Sequence, residues 1–133
     1  MTSYVIDASA AVEYLLRTTL GLTVAGVIAG AFLVAPALLD VEVLAVLRRA
    51  VLHKKLVEQR AAEALEDLIE WQVDRIVHLR LIQEAWRHRH NVSGYDAFYV
   101  ATARLYNIPL LTADGPLAKA PLLDITVRNL RLE

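Results

Sequence analysis

Short apolar runs alternate with longer stretches of helical composition along this chain, and this alternation is what most constrains its fold. The runs at residues 3–6, 32–35 and 110–112 are brief and almost wholly apolar, as expected of strands buried on both faces. Helical segments separate them in sequence. Buried strands joined by helices predict an α/β fold, a three-layer α/β/α sandwich with a central, mainly parallel sheet.

The remaining elements follow from the same patterns, and the length of 133 residues indicates a single domain covering residues 1–133. Pro36 is predicted to open a helix, because proline is favoured at the first helical position. Predicted helices cover residues 8–16, 20–29, 36–52, 58–71, 82–90, 95–106 and 117–120, and further strands or extended links cover residues 75–79 and 124–127.

Composition excludes several classes of protein. No charged residue occurs between Leu20 and Leu39, a run long enough to cross a bilayer, but Gly30 and Pro36 divide it, so we expect no membrane span. The absence of cysteine excludes disulfides and thiolate metal sites and fits a cytoplasmic protein. Asp7 interrupts any early apolar core, so no secretory signal is expected. With a net charge of −1, a nucleic-acid partner would need a local basic patch.

Four acidic residues stand in apolar surroundings at distant points of the sequence. Asp7 and Asp114 follow predicted strands, and Asp96 lies in the first turn of a helix with almost no polar face. Glu42 lies in a helix whose apolar residues cover nearly its whole circumference, so this helix should be deeply buried at its start. Because the carboxyl ends of parallel strands share one edge of a sheet, we expect several of these acids to meet there.

Carboxylate clusters of this kind favour a divalent cation. All-oxygen sites suit Mg²⁺ or Mn²⁺ rather than zinc, and no P-loop or dinucleotide fingerprint is present. Each acid also has a simpler explanation. Asp7 and Asp114 can cap helices or turns, Ser93 and Asp96 have the spacing of a capping box, and Glu42 can pair with Arg49 two turns later.

Four segments together resemble one nuclease family. Residues 5–9 (Val-Ile-Asp-Ala-Ser), Glu42, residues 95–103 (Tyr-Asp-Ala-Phe-Tyr-Val-Ala-Thr-Ala) and residues 111–114 (Leu-Thr-Ala-Asp) are similar to the motifs of PIN-domain nucleases. The chain most resembles the VapC toxins of prokaryotic toxin–antitoxin pairs. The resemblance extends from Tyr4 to about Val127.

The resemblance implies a Mg²⁺- or Mn²⁺-dependent endoribonuclease that hydrolyses RNA through metal-activated water. It implies a homodimer inhibited by a cognate antitoxin, for which the apolar second helix is a candidate surface. Asp7 and Asp96 would bind the metal directly, with Glu42 and Asp114 completing the pocket partly through water. These four are the predicted catalytic and metal-binding residues, and Ser9 and Thr112 are expected near the metal.

Two questions stay open at this level. A catalytically silent PIN-like binding module, whose acids serve only as caps, would share the fold and lack metal affinity. The basic residues that would contact RNA are also undecided, since each cluster can simply be a solvated helix end. The candidate clusters are Arg48, Arg49, Lys54 and Lys55 in one segment and Arg87, His88, Arg89 and His90 in another.

Overall fold

A parallel five-stranded sheet forms the centre of the protein. The structure, a computed structural model, describes residues 2–119 and 125–132. The strands are β1 (Ser3–Ile6), β2 (Phe32–Pro36), β3 (Asp74–Ile76), β4 (Leu110–Thr112) and β5 (Val127–Asn129), in the spatial order β3-β2-β1-β4-β5. Every neighbouring pair is parallel, and β1 lies at the centre between β2 and β4.

Helices cover the sheet in two layers, which confirms the predicted three-layer architecture. The helices are α1 (Ala8–Leu16), α2 (Thr19–Ile28), α3 (Leu38–Leu52), α4 (Glu58–Glu70), α5 (Ile82–Arg87), α6 (Gly94–Tyr106) and α7 (Gly115–Lys119), with 3₁₀ turns at His78–Arg80 and Leu130–Leu132. Helices α1, α3 and α4 pack together and α2 packs on α1, whereas α6 packs on α5 and across β1, β2 and β4.

The core lies where the central strands meet α1 and α6. Val5 and Ile6 of β1 and Leu110 of β4 are fully buried. Helix α6 buries residues on nearly every side, including Tyr99 and Val100, which confirms its predicted burial. Asp96 lies in the first turn of this helix, just before buried Ala97.

A sharp corner separates α1 from α2. Arg17 ends α1 in the left-handed conformation (φ 56°), and the Thr18 side chain caps α2 by accepting from the Gly21 amide. A Cβ on Gly21 would lie 2.0 Å from the Glu13 carbonyl oxygen, so only glycine fits there. Within residues 2–119 and 125–132, no single helix could cross a membrane; α1 and α2 together have the length and composition, but they are bent by 108°.

Several predicted boundaries were wrong. Pro36 ends β2 instead of opening a helix, and α3 begins at Leu38. A strand tolerates proline there because the Ala37 amide makes the next bond, to the Ile76 carbonyl. The third strand ends at Ile76, and α5 ends at Arg87. The last strand begins at Val127, so the predicted strand positions 125 and 126 precede it, while the predicted positions 120 and 124 lie outside the described residues.

Helix α3 is less buried than its composition predicts. Its buried residues lie on one face, whereas Val41 and Leu44 are 63% and 52% exposed. The expectation that α3 is deeply buried at its start holds for Leu38 and Leu39 but not for Val41. Several apolar side chains of this helix stay exposed, so composition alone gave only part of its environment.

Candidate functional site

The candidate site lies between β1 and β4, at the carboxyl edge of the sheet. The chain forms β2 and β3 on one side of β1 and then crosses to β4 and β5 on the other, so the strand order changes direction between β1 and β4. Ligand sites of open parallel sheets lie at such a point. Asp7 directly follows β1, and its amide donates to the Leu111 carbonyl of β4 (3.2 Å).

Two hydroxyl groups hold the Asp7 carboxylate between the loops that follow β1 and β4. Ser9 Oγ donates to Asp7 Oδ1 (2.7 Å), and Thr112 Oγ1 donates to Asp7 Oδ2. Each hydroxyl also accepts a backbone amide of the second loop, Ser9 from Ala113 and Thr112 from Asp114, both at 2.9 Å. Ser9 and Thr112 thus fix the orientation of Asp7 and tie Asp114 to the same edge.

Asp7 is both a helix cap and a buried acid. Its Oδ1 accepts from the Ala10 amide (3.0 Å) at the start of α1, so the capping interpretation is correct. The residue is also only 5% exposed. Burial raises its pKa to about 6, against the opposing hydrogen bonds from Thr112, Ser9 and Ala10. Ionised Asp7 is therefore unfavourable here unless a positive charge approaches it.

Asp96 links the other acids electrostatically. Burial raises its pKa, and the charge of Asp114 raises it further. Asp96 in turn adds to the raised pKa values of Asp7 and Glu42, which are due chiefly to burial. The structure thus brings the other three predicted acids within electrostatic range of Asp96. The Ser93 side chain accepts from the Asp96 amide (3.2 Å), so Asp96 also occupies the capping position that its spacing suggests.

Tyr99 is a site residue that sequence reasoning missed. It is 1% exposed, and its hydroxyl has no partner with ordinary hydrogen-bond geometry, although it is near enough to lower the Glu42 pKa. Burial raises the Tyr99 pKa, and Glu42 adds to that shift. The sequence signal that could have identified Tyr99 is its position three residues after Asp96, which places it on the same side of α6.

Arg131 was also missed, and no sequence pattern marks it. Its Nε donates to the Ala113 carbonyl (2.8 Å), and its Nη2 lies 3.4 Å from Glu13 Oε1 of α1. A residue near the end of the chain therefore supports the loop that carries Asp114. Glu42 and Arg49, both among the described residues, make no ion pair with each other. The simpler interpretation of Glu42 as a partner of Arg49 is therefore wrong.

The donor chemistry fits a hard divalent cation. The four side chains offer only carboxylate oxygens, and an incoming cation would offset the burial that raises the pKa of Asp7, Glu42 and Asp96. The Tyr99 hydroxyl also retains unused hydrogen-bonding capacity. In their present positions, however, no three Asp, Glu or His side chains among residues 2–119 and 125–132 lie close enough together to hold one ion. Joint ligation by the four acids therefore stays a prediction.

The two basic clusters differ in their contacts. Arg48, Arg49, Lys54 and Lys55 are exposed around the end of α3. In the second cluster, Arg87 and His88 contact Glu84 at 3.3 and 3.1 Å. Arg89 instead lies over the ring of Trp86, 4.7 Å from its centroid. Whether either cluster contacts a ligand stays open.

Comparison with known proteins identifies the family. The sequence profile of the PIN domain matches residues 4–122. The chain is 41% identical over 133 residues to ribonuclease VapC1 of Mycobacterium tuberculosis, covering 98% of this chain and 100% of that protein. It is 35% identical over 116 residues to ribonuclease VapC12 of the same species, covering 87% and 90% of the two chains.

Solved structures share the fold at much lower sequence identity. PAE2754 from Pyrobaculum aerophilum matches with a TM-score of 0.67 and 15% identity, over 98% of this chain and 85% of that one. VapBC2 from Rickettsia felis, crystallised with a DNA fragment from its promoter, matches with a TM-score of 0.63 and 14% identity, over 96% and 98%. From the profile and the close relatives together, this chain belongs to the PIN-domain family, among its VapC-type members.

Proposed function

We propose that the protein is a metal-dependent endoribonuclease that acts as the toxin of a toxin–antitoxin pair. The observation that carries this proposal is the arrangement of Asp7, Glu42, Asp96 and Asp114, from four separate parts of the chain, around one edge of the sheet. Its close relatives are named ribonucleases, and this supports RNA as the substrate. Mg²⁺ or Mn²⁺ is the proposed cofactor, because the donors are all carboxylates.

The residues have distinct proposed roles. Asp7 and Asp96 would bind the ion directly, and Glu42 and Asp114 would complete the pocket partly through water. When bound, such an ion lowers the pKa of a water molecule and offsets charge developing on the phosphodiester. Asp7 cannot turn freely because Ser9 and Thr112 hold both of its oxygens. Asp96 and Asp114 are only half-buried, so their side chains would have to turn toward Asp7 when the ion binds.

The proposal extends to two protein partners, an antitoxin and a second copy of this chain. A cognate antitoxin would cover the active site, and a cleft of about 380 Å³ beside α1, α2 and α4, lined by Tyr14, Leu22 and Trp71, offers it an apolar surface. A homodimer would cover exposed apolar residues such as Val41 and Leu44 on α3. Cytoplasmic location would follow from an RNA substrate.

Cleavage of RNA by the purified chain, freed from any partner, tests the activity. We expect cleavage with Mg²⁺ or Mn²⁺, loss with EDTA, and recovery when the ion is restored. Asp7→Asn and Asp96→Asn should each reduce the rate by at least about 100-fold while the far-UV circular dichroism is unchanged. Asp74→Asn, which alters an exposed acid on β3, is the matched control and should cut at the wild-type rate.

A catalytically silent module is the second candidate, favoured by the capping bonds that Asp7 and Ser93 make. Calorimetric titration with Mn²⁺ separates the two. A set of caps gives no saturable heat, whereas the proposed nuclease gives binding that weakens in both Asn variants. Wild-type cleavage rates in those variants would refute the assigned roles.

A further inference from the structure

An apolar groove lies between α5 and the start of α6, outside the acidic site. Its volume is about 310 Å³, and Trp86 of α5 and Ala97 and Phe98 of α6 contribute to its lining. Trp86 is 66% exposed, and Ile82, one turn before it, is 49% exposed. Large apolar side chains grouped on a surface mark a binding site more often than singly scattered ones do.

Arg89 gives this groove a positive charge. Its guanidinium lies 4.7 Å from the centroid of the Trp86 ring, and its Nη1 donates to the Trp86 carbonyl (2.9 Å). Among residues 2–119 and 125–132, no acidic side chain pairs with Arg89, whereas neighbouring Arg87 and His88 share Glu84. An indole ring beside an unpaired guanidinium suits a flat ligand that carries negative charge.

The groove is close to the acidic site along α6. Ala97 and Phe98 line the groove, and both directly follow Asp96 in the helix. A helix with its side chains is about 10 Å across, so the two sites are separated by roughly the width of α6. An RNA chain that places one phosphodiester at the acids would extend a neighbouring nucleotide toward Trp86.

We propose that this groove is a nucleobase-stacking site for single-stranded RNA, next to the position of cleavage. Trp86 provides the stacking surface, and Arg89 both holds that ring and neutralises a flanking phosphate. Single-stranded nucleic acids are bound in this way, through bases stacked on aromatic rings and phosphates paired with cations. This inference rests on the proposed ribonuclease function, and its test has a readout that does not depend on cleavage.

The chain contains two tryptophans, which makes the binding test direct. Trp71 is stacked on Tyr14 in the other helical layer, with centroids 4.7 Å apart, so Trp71→Phe leaves Trp86 as the single reporter. Single-stranded RNA added in EDTA should quench its fluorescence. The same oligonucleotide with abasic residues should quench much less, because the phosphates remain but the bases are gone. Equal quenching by both would overturn base stacking.

Affinity measurements assign the effect to the side chain. Trp86→Leu should weaken RNA binding in EDTA by about 5- to 100-fold, the range expected for loss of one stacked base, and Trp86→Phe should retain most of the affinity. Ile69→Ala, which removes another exposed apolar side chain, is the matched control and should bind as wild type does. With the metal present, Trp86→Leu should raise KM and leave kcat within about twofold.

Two results would overturn the inference while leaving the nuclease assignment intact. One is wild-type cleavage together with unchanged KM and RNA affinity in Trp86→Leu. The other is a Trp86→Leu variant that changes from dimer to monomer in size-exclusion chromatography with unchanged RNA affinity, which would make the groove an interface between copies. Failure of the nuclease assignment would appear differently, as absence of cleavage by the wild-type protein.

Discussion

Neutralising Asp7 should stabilise the protein in the absence of metal. Its folded pKa of about 6 lies above the ordinary value of 3.8 because the residue is buried. Between these values the folded state holds a proton that the unfolded state releases, so stability falls as pH rises from about 4 to about 6 and stays low above that. At about 1.4 kcal/mol per pH unit, the loss is on the order of 3 kcal/mol at pH 7.5.

Asp7→Asn should recover most of that energy because the hydrogen bonds can be kept. The amide oxygen can accept from Ser9 and Ala10 as Oδ1 does. The amide NH₂ can donate to Thr112 Oγ1, and the Thr112 hydroxyl can turn to Ser9 Oγ, 3.3 Å away. Every group that is hydrogen-bonded in the wild type then keeps a partner, and the second amide hydrogen, which gains none, offsets part of the gain.

Thermal and urea unfolding in EDTA measure the effect. We expect Asp7→Asn to raise the melting temperature at pH 7.5 by on the order of 10 °C, and to change it little at pH 4, where the wild-type carboxyl is protonated in the fold. Asp74→Asn on exposed β3 is the control and should change stability by less than about 0.5 kcal/mol. If Asp7→Asn were less stable than wild type at pH 7.5, or gained equally at pH 4, burial of its charge would not be the dominant effect.

Four further substitutions test three separate parts of the structure by urea unfolding. Gly21→Ala should destabilise the protein by several kcal/mol, because the new Cβ would lie 2.0 Å from the Glu13 carbonyl oxygen. Gly26→Ala in the same helix, where a Cβ would meet no atom within 4 Å, should instead stabilise α2 by about 0.5–1 kcal/mol. Equal effects of the two substitutions would refute the tight corner. Ser9→Ala should destabilise by about 1–3 kcal/mol because the Ala113 amide loses its acceptor, and an unchanged midpoint would show that Ser9 does not join the loops. Tyr99→Phe should be neutral or stabilising in EDTA, since the hydroxyl has no partner, and a clear loss of stability would reveal a bond to Glu42.

Local periodicity in the sequence predicted the central strands and the helices that join them. Buried strands such as β1 and β4 have apolar residues on both faces, and their parallel arrangement follows from the helices between them. The same reasoning placed Asp7 and Asp114 at one edge, because each comes just after a strand. Asp96 was expected in the first turn of a buried helix, and α6 carries it there.

What could not be predicted depends on contacts between distant parts of the chain. Helical spacing places Tyr99 on the side of α6 that carries Asp96 but does not place it beside Glu42, and no pattern places Arg131 at the Ala113 carbonyl. Helix α3 has enough apolar residues for full burial, yet Val41 and Leu44 face outward. Composition gives the amount of apolar surface but not what covers it.

Crystals soaked in Mn²⁺ and measured for anomalous scattering test the central claim most directly. We expect one strong peak, or a close pair, at the carboxyl edge of the sheet, in contact with Asp7 and Asp96 and within water-mediated reach of Glu42 and Asp114. The peak should be lost in Asp96→Asn crystals soaked in the same way. If saturating Mn²⁺ gave no peak beside Asp7, or peaks only at other acids, metal binding by Asp7 and Asp96 would be contradicted.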